Sequence, residues 1–251
     1  MELLHNKVAV VTGAASGIGR AIADAFVAEG MRVMLADIDG TLLSGVVAEL
    51  RERGGNVHGV VTDVRDAASV ERLAASAVDT FGALHVAVNN AGIVNRGYAW
   101  ELSIEDWEQV LAVNLWGVIH GIRSFVPRVL ASGEAGHIVN TASMAAVNIY
   151  PRLGPYVVAK HGVLGLSDSL RADFAELGAP IGVSVVMPGR VATRMNPTGK
   201  LPAAAVGANV VDAIRRGRNY VFTDHDDTAN VTARLTSILA ARADVIGQPD
   251  Q

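Results

Sequence analysis

Tyr156 and Lys160 stand four residues apart in the segment Pro155-Tyr156-Val157-Val158-Ala159-Lys160, the separation that stacks two side chains on one face of a helix. The chain has only four tyrosines among its 251 residues, and its lysines are Lys7, Lys160 and Lys200, so the pairing is uncommon by chance. An ammonium beside a phenol favours the phenolate and lowers a pKa that starts near ~10. Such a tyrosine gives or takes a proton near neutral pH. Thirteen residues upstream, Ser143 follows the apolar run from His137 to Thr141, which reads as a buried strand delivering a hydroxyl to its C-terminal edge. A hydroxyl there can hold a carbonyl oxygen beside the phenol. The blander readings are a surface pair on a helix and an ordinary turn serine.

A second constellation lies near the N-terminus. The run Val8 to Val11 leads directly into Thr12-Gly13-Ala14-Ala15-Ser16-Gly17-Ile18-Gly19, and a helical stretch from Arg20 to Glu29 follows. In a strand, glycine turn and helix, the glycines let the backbone approach a pyrophosphate and the helix N-terminus offers unpaired N–H groups. Asp37, at the end of the second apolar run, is placed to accept hydrogen bonds from a ribose diol. Neither Ser16 nor Ile38 brings the cationic group that a 2′-phosphate would need, so NAD is expected rather than NADP.

The elements that must position these residues are seven β-rich runs: Val8 to Val11, Arg32 to Ala36, Val57 to Val61, Leu84 to Val88, Ile138 to Thr141, Ile181 to Met187 and Tyr220 to Phe222. They are near-continuously apolar and alternate with helical stretches. That pattern predicts an α/β fold: one doubly wound parallel seven-stranded sheet with helices on both faces, in a single domain over 1–251. Asp66 and Gly82 bracket a helix from Ala67 to Phe81, and Ser103 with Asp106 resembles a capping box. Gly162 and Gly165 would let a second helix approach the one carrying Tyr156.

Net charge is -4 with no basic block, which leaves no electrostatic footprint for nucleic acid. There is no cysteine, no HExxH pair, and Val8 to Val11 is too short for a membrane span, so a cytoplasmic protein without a metal or membrane partner is expected.

With these residues in order along the chain, the sequence resembles the short-chain dehydrogenase/reductase family. The match rests on TGAASGIG at 12–19, Asp63-Val64, NNAG at 89–92, Asn114, Ser143, YVVAK at 156–160 and Pro188-Gly189, and it spans about three quarters of the chain. The resemblance implies a Rossmann-type fold with Tyr156 as general acid/base, Lys160 lowering its pKa and binding the nicotinamide ribose, Ser143 orienting the substrate oxygen and Asn114 completing a proton relay. It also implies that Gly13, Ser16, Gly17, Ile18 and Gly19 hold the pyrophosphate end, and that Asp63 and Val64 flank the adenine. Asn90, Ala91 and Gly92 shape the cleft, with Pro188, Gly189, Val191 and Thr193 at the nicotinamide end. A purely structural role for Asn90, tying strands together, is an equal reading.

Pocket walls in such a fold come from loops after the strands. The candidates are Val94, Asn95, Met144, Asn148, Tyr150, Arg190 and Met195, with Arg96, Arg152 and Arg194 able to meet an anion but more simply solvated. The expected activity is interconversion of a secondary alcohol and a ketone. The alternatives are an NADP-dependent 3-oxoacyl thioester reductase and a catalytically silent dinucleotide sensor. The ending Tyr220 to Thr223, Asp224-His225-Asp226-Asp227 and an amphipathic stretch to Ala243 departs from the family's glycine-rich ending. That departure puts a homotetramer in doubt and leaves a homodimer through the helices of Asn114 and Tyr156.

Overall fold

Successive side chains of a strand point to opposite faces, and in this chain both sets are apolar, so each strand must be covered twice. The computed structural model, which describes residues 4–223 and 227–246, shows how this is met. Strands β1 (Val8–Thr12), β2 (Arg32–Asp37), β3 (Val57–Val61), β4 (Val86–Asn89), β5 (Gly136–Thr141), β6 (Ile181–Met187) and β9 (Tyr220–Phe222) form one sheet in the order β3-β2-β1-β4-β5-β6-β9. All six pairings are parallel. The seven expected strands are all present, with ends shifted by a residue or two. A short parallel pair, β7 (Val191–Ala192) with β8 (Leu201–Pro202), lies outside the sheet and was not foreseen.

On one face, Ala9, Val11, Val33 and Leu35 pack under helices α1 (Gly17–Ala28), α2 (Gly40–Glu52) and α7 (Ala203–Arg216) through Ile22, Phe26, Leu43, Leu50, Val210 and Ile214. On the other, Val8, Val10, Met34 and Ala87 meet α3 (Ala67–Phe81), α5 (Gly117–Ala131) and α6 (Gly154–Leu177) through Val70, Leu73, Phe125, Leu170 and Phe174. Phe26 and Phe125 are fully buried, each contributing about 2–3 kcal/mol of apolar burial. Gly207 lets α7 press onto α1, since a Cβ there would lie 2.4 Å from the Ala21 carbonyl oxygen.

The caps behave as their residue types dictate. Asp66 accepts from the amides of Ala68 and Ser69, and Gly82 ends α3 in the left-handed region at φ 86°. Ser103 and Asp106 make a reciprocal capping box at the start of α4 (Ile104–Leu111). From α4 the chain continues through one π-helical turn, Ala112–Trp116, straight into α5. This stretch, 104–131, is long and apolar enough by length and composition to cross a membrane, yet here it lies against α3, α6 and β4. Of the two glycines on α6, Gly162 faces Leu115 closely, whereas Gly165 faces open space. After β9 comes α8 (Thr228–Ile246). Asp224, His225 and Asp226, expected ahead of this helix, lie outside the described residues, while Asp227 directly precedes it.

Candidate functional site

The strand order reverses direction between β1 and β4, and in open parallel sheets ligands lie at the C-terminal strand ends beside such a reversal. Both turns leaving those two strands are glycine-bearing, and they touch: a Cβ on Gly13 would stand 3.0 Å from the Ala91 Cα. Gly13 and Gly17 adopt φ values of 66° and 56°, which an L side chain resists. Gly19 is excluded from carrying any side chain, since its Cβ would lie 2.1 Å from the Gly13 carbonyl oxygen. Ser16 occupies the N-cap of α1 without capping it through its side chain, and the first turn holds no acid, so its N–H groups are left for an anion.

Asp37 sits at the edge of β2 beside this turn. Its carboxylate accepts from the Ala15 amide at 3.0 Å and the Asp39 amide at 3.1 Å, which fixes its direction. Asp63 is already engaged: the Arg65 guanidinium holds its carboxylate at 2.6 to 3.0 Å and keeps its pKa below the usual carboxylate range. Val64 is buried against Gly117, and its carbonyl accepts from His120.

Asn90 ties neighbouring strands together. Its amide donates to the Thr12 carbonyl at 3.0 Å, its Oδ1 accepts from Thr141, and its backbone N–H donates to the Thr12 hydroxyl. Thr12, the first residue of the glycine-rich motif, also accepts from Ala91 and donates to Val88, tying β1 to β4.

Gly92 stands where three groups converge. A Cβ on it would lie 3.1 Å from Asn114 Oδ1 and 3.8 Å from Lys160 Nζ. Asn114 is fully buried in the π-helical turn, where its Oδ1 accepts from the Ile93 amide and its Nδ2 donates to the Ile93 carbonyl, both at 2.8 Å. Lys160 is buried too: its ammonium donates to the Thr141 carbonyl at 2.8 Å and lies 5.5 Å from the Tyr156 ring centre. Burial pushes its pKa down to about 8. The Tyr156 phenol is raised by burial, while a hydrogen bond with the Ser143 side chain pulls it back. The expected net depression is therefore not what the protein's own groups produce, because desolvation of the phenolate outweighs the help it receives. Ser143 follows β5 and its hydroxyl also accepts from the Ala145 amide at 3.1 Å.

Around these, the structure sorts the remaining candidates. Pro188 anchors the Ser143 turn by accepting from the Met144 amide, and the Gly189 amide donates to Thr223. Val191 is buried in the core, so only its backbone can face a ligand. The Thr193 methyl packs where a Gly17 Cβ would be, 3.3 Å away, which brings the segment after β6 over the glycine turn. Met144 and Asn148 are buried on the loop leaving Ser143, and Tyr150 donates to Asp227. The Asn95 amide donates to Asp106 at 2.9 Å instead of standing free. Val94 is half-buried beside it, and Met195 is half-exposed. Arg96, Arg190 and Arg194 are exposed, and Arg152 lies over the Tyr98 ring. No cluster of three metal-ligating side chains occurs among the described residues.

A family model described as short chain dehydrogenase matches residues 7–201. The chain is a member of that family. Two similar proteins are 1-deoxy-11-beta-hydroxypentalenate dehydrogenase of Streptomyces avermitilis, 41% identical over 89% of this chain and 86% of that one, and cyclohexanol dehydrogenase of an Acinetobacter strain, 37% identical over 82% and 86%. A short-chain dehydrogenase/reductase from Burkholderia phymatum, solved in complex with NAD, superposes with a TM-score of 0.92 at 36% identity, covering 100% of this chain and 99% of that one. This short-chain dehydrogenase is therefore an oxidoreductase acting on CH–OH groups, with the Rossmann-type sheet that the family uses for nicotinamide dinucleotides.

Proposed function

We propose that the protein is an NAD-dependent dehydrogenase interconverting a secondary alcohol and a ketone through Ser143, Tyr156, Lys160 and Asn114. The observation that carries this reading is the buried phenol of Tyr156, eased by the Ser143 side chain, with the buried Lys160 ammonium 5.5 Å from its ring centre. The donor set fits a dinucleotide: a turn in which Gly13 and Gly19 leave no room for a Cβ, an uncapped helix N-terminus, and a ribose-directed Asp37 with no ion-pair partner among the described residues to receive a 2′-phosphate. Gly13, Gly17, Ile18 and Gly19 would hold the pyrophosphate, Asp37 the adenosine ribose, and Lys160 and Thr193 the nicotinamide end. NAD supplies the hydride acceptor for oxidation and, reduced, the donor for the reverse.

The residues manage the proton and the geometry. Ser143 donates to the substrate oxygen and holds it against the phenol. Tyr156 takes the alcohol proton during oxidation and returns it during reduction. The Lys160 ammonium stabilises the phenolate in a desolvated site that otherwise disfavours it. Asn114, clamped to Ile93 and adjacent to Gly92, keeps the inner end of this array fixed for onward proton exchange. Relatives named for cyclohexanol and for a hydroxypentalenate support a ring-borne secondary alcohol as substrate.

A homodimer in the cytoplasm completes the proposal, with Ile104, Trp116 and Val158, all about half-exposed or more on the helices around the site, as the apolar surface available for pairing. The deciding measurement is nicotinamide absorbance with cyclohexanol and each cofactor. Oxidation with NAD at least about tenfold faster than with NADP is expected, since Asp37 repels a 2′-phosphate. Equal rates would overturn the cofactor assignment, and no turnover across an alcohol and ketone panel would overturn the reaction.

A further inference from the structure

Helix α8 touches the rest of the molecule along a narrow stripe. Among its described side chains, only Val231 and Arg234 are half-buried, in line with Asp227 just before it, at the spacing of one helix face. Leu235, Ile238 and Leu239 are exposed, so apolar burial contributes little to its seat.

The polar ties are specific. Arg234 Nη1 donates to the Val147 carbonyl at 3.1 Å, and its Nη2 meets His161 Nε2 at 3.1 Å. His161 Nδ1 faces the Val157 carbonyl at 2.9 Å and must carry its proton there, so Nε2 is the acceptor for the arginine. Tyr150 donates to the Asp227 carboxylate. Thus Arg234 and Asp227 hold Val147 and Tyr150, both within the loop running from Ser143 to the start of α6, and Arg234 also binds the residue next to Lys160. Met144 and Asn148 lie in this same loop and are buried.

We infer that α8 is a latch for one wall of the alcohol site: Arg234 and Asp227 are positioning residues that hold the 144–150 loop in place and so set how tightly a bulky alcohol is bound. One guanidinium spans two acceptors on two elements, a bridge that a shorter or single-donor side chain cannot reproduce. The kinetic half of this inference rests on the alcohol reading above. The mechanical half does not.

The test uses the full chain with Arg234→Met, Arg234→Lys and Asp227→Asn. Hydrogen exchange read by mass spectrometry should show amides 146–150 exchanging about tenfold faster in Arg234→Met, the loss expected for removing a charge-assisted hydrogen bond, with β1 and α3 unchanged. With saturating NAD, KM for cyclohexanol should rise about tenfold while kcat stays within about twofold and KM for NAD is unmoved. Propan-2-ol, too small to reach the loop, should change far less. Arg234→Lys should recover part of the loss. Asp227→Asn keeps an acceptor for Tyr150 but not its charge, and should give a smaller effect in the same direction. Should Arg234→Met fail to fold, Asp227→Asn carries both readouts. Unchanged exchange at 146–150, or a parallel fall in kcat for both alcohols without a KM change, would overturn the latch. If the unmodified enzyme oxidises neither alcohol, the alcohol reading falls and the exchange experiment still decides the mechanical claim.

Discussion

Tyr156 carries the proton in the proposed chemistry, and its environment makes a sharp demand on it. Burial raises the phenol, so in that proposal the ammonium of Lys160, 5.5 Å from the ring centre, has to make the phenolate reachable. Tyr156→Phe should cost on the order of 10³-fold in kcat while dinucleotide affinity, read by fluorescence titration, changes little. Lys160 itself has a folded pKa of about 8 against an unfolded value of 10.5. A base depressed in this way penalises the fold fully below about pH 8, and the penalty disappears as pH rises through the unfolded value. In the dinucleotide-free protein, raising pH from 7 to 9.5 should therefore stabilise the wild type relative to Lys160→Met by about 2 kcal/mol, roughly 4–8 °C in melting temperature. A constant difference between the two melting curves across this range would contradict the burial argument. Spacing made Tyr156, Lys160 and Ser143 legible, because four residues on a helix and a hydroxyl past a strand are local facts. The direction of the phenol's shift was not legible, because desolvation depends on which distant side chains close over the ring. Arg234 and His161 were invisible for the same reason: they lie 73 residues apart and meet only when α8 folds back.

Elements place these residues through contacts that leave no room for adjustment at some glycines and ample room at others. Gly19→Ala should destabilise the protein by about 2 kcal/mol or more and weaken dinucleotide binding, because the obstacle at 2.1 Å is backbone that cannot yield. Gly45, in α2 with nothing within 4 Å of its Cβ position, is the control: Gly45→Ala should stabilise by about 0.5–1 kcal/mol through helix propensity. Thermal melts of the pair would separate the two effects, and equal shifts would refute them. The helix α6 is further tied to the sheet by a buried chain in which Asn89 donates to Asn140, Asn140 to Ser167, and Ser167 to the Val163 carbonyl. The strands were readable because near-continuous apolar runs have few alternatives in an α/β chain. The π-helical turn at Asn114 was not, since nothing in its residue types distinguishes it from the α-helix on either side. The β7–β8 pair escaped because two-residue strands leave no periodicity to read.

At the scale of the whole molecule, the proposed pairing rests on the exposed Trp116, 53% accessible on the surface of a long apolar helix. Trp116→Glu should move the protein from dimer toward monomer in sedimentation velocity, with the melting temperature of the monomer little changed. A wild type that sediments as a monomer would remove the pairing proposal. The strand order has a different consequence, one of timing. β1 cannot acquire its neighbour β4, the central strand, until about 80 further residues have been synthesised, and β9 closes the edge only later still. Pairings at such separation close late and slowly. During translation the β1-β2-β3 half should form first and wait with one flank unsatisfied, so a nascent chain halted before residue 86 would be the species most in need of a chaperone.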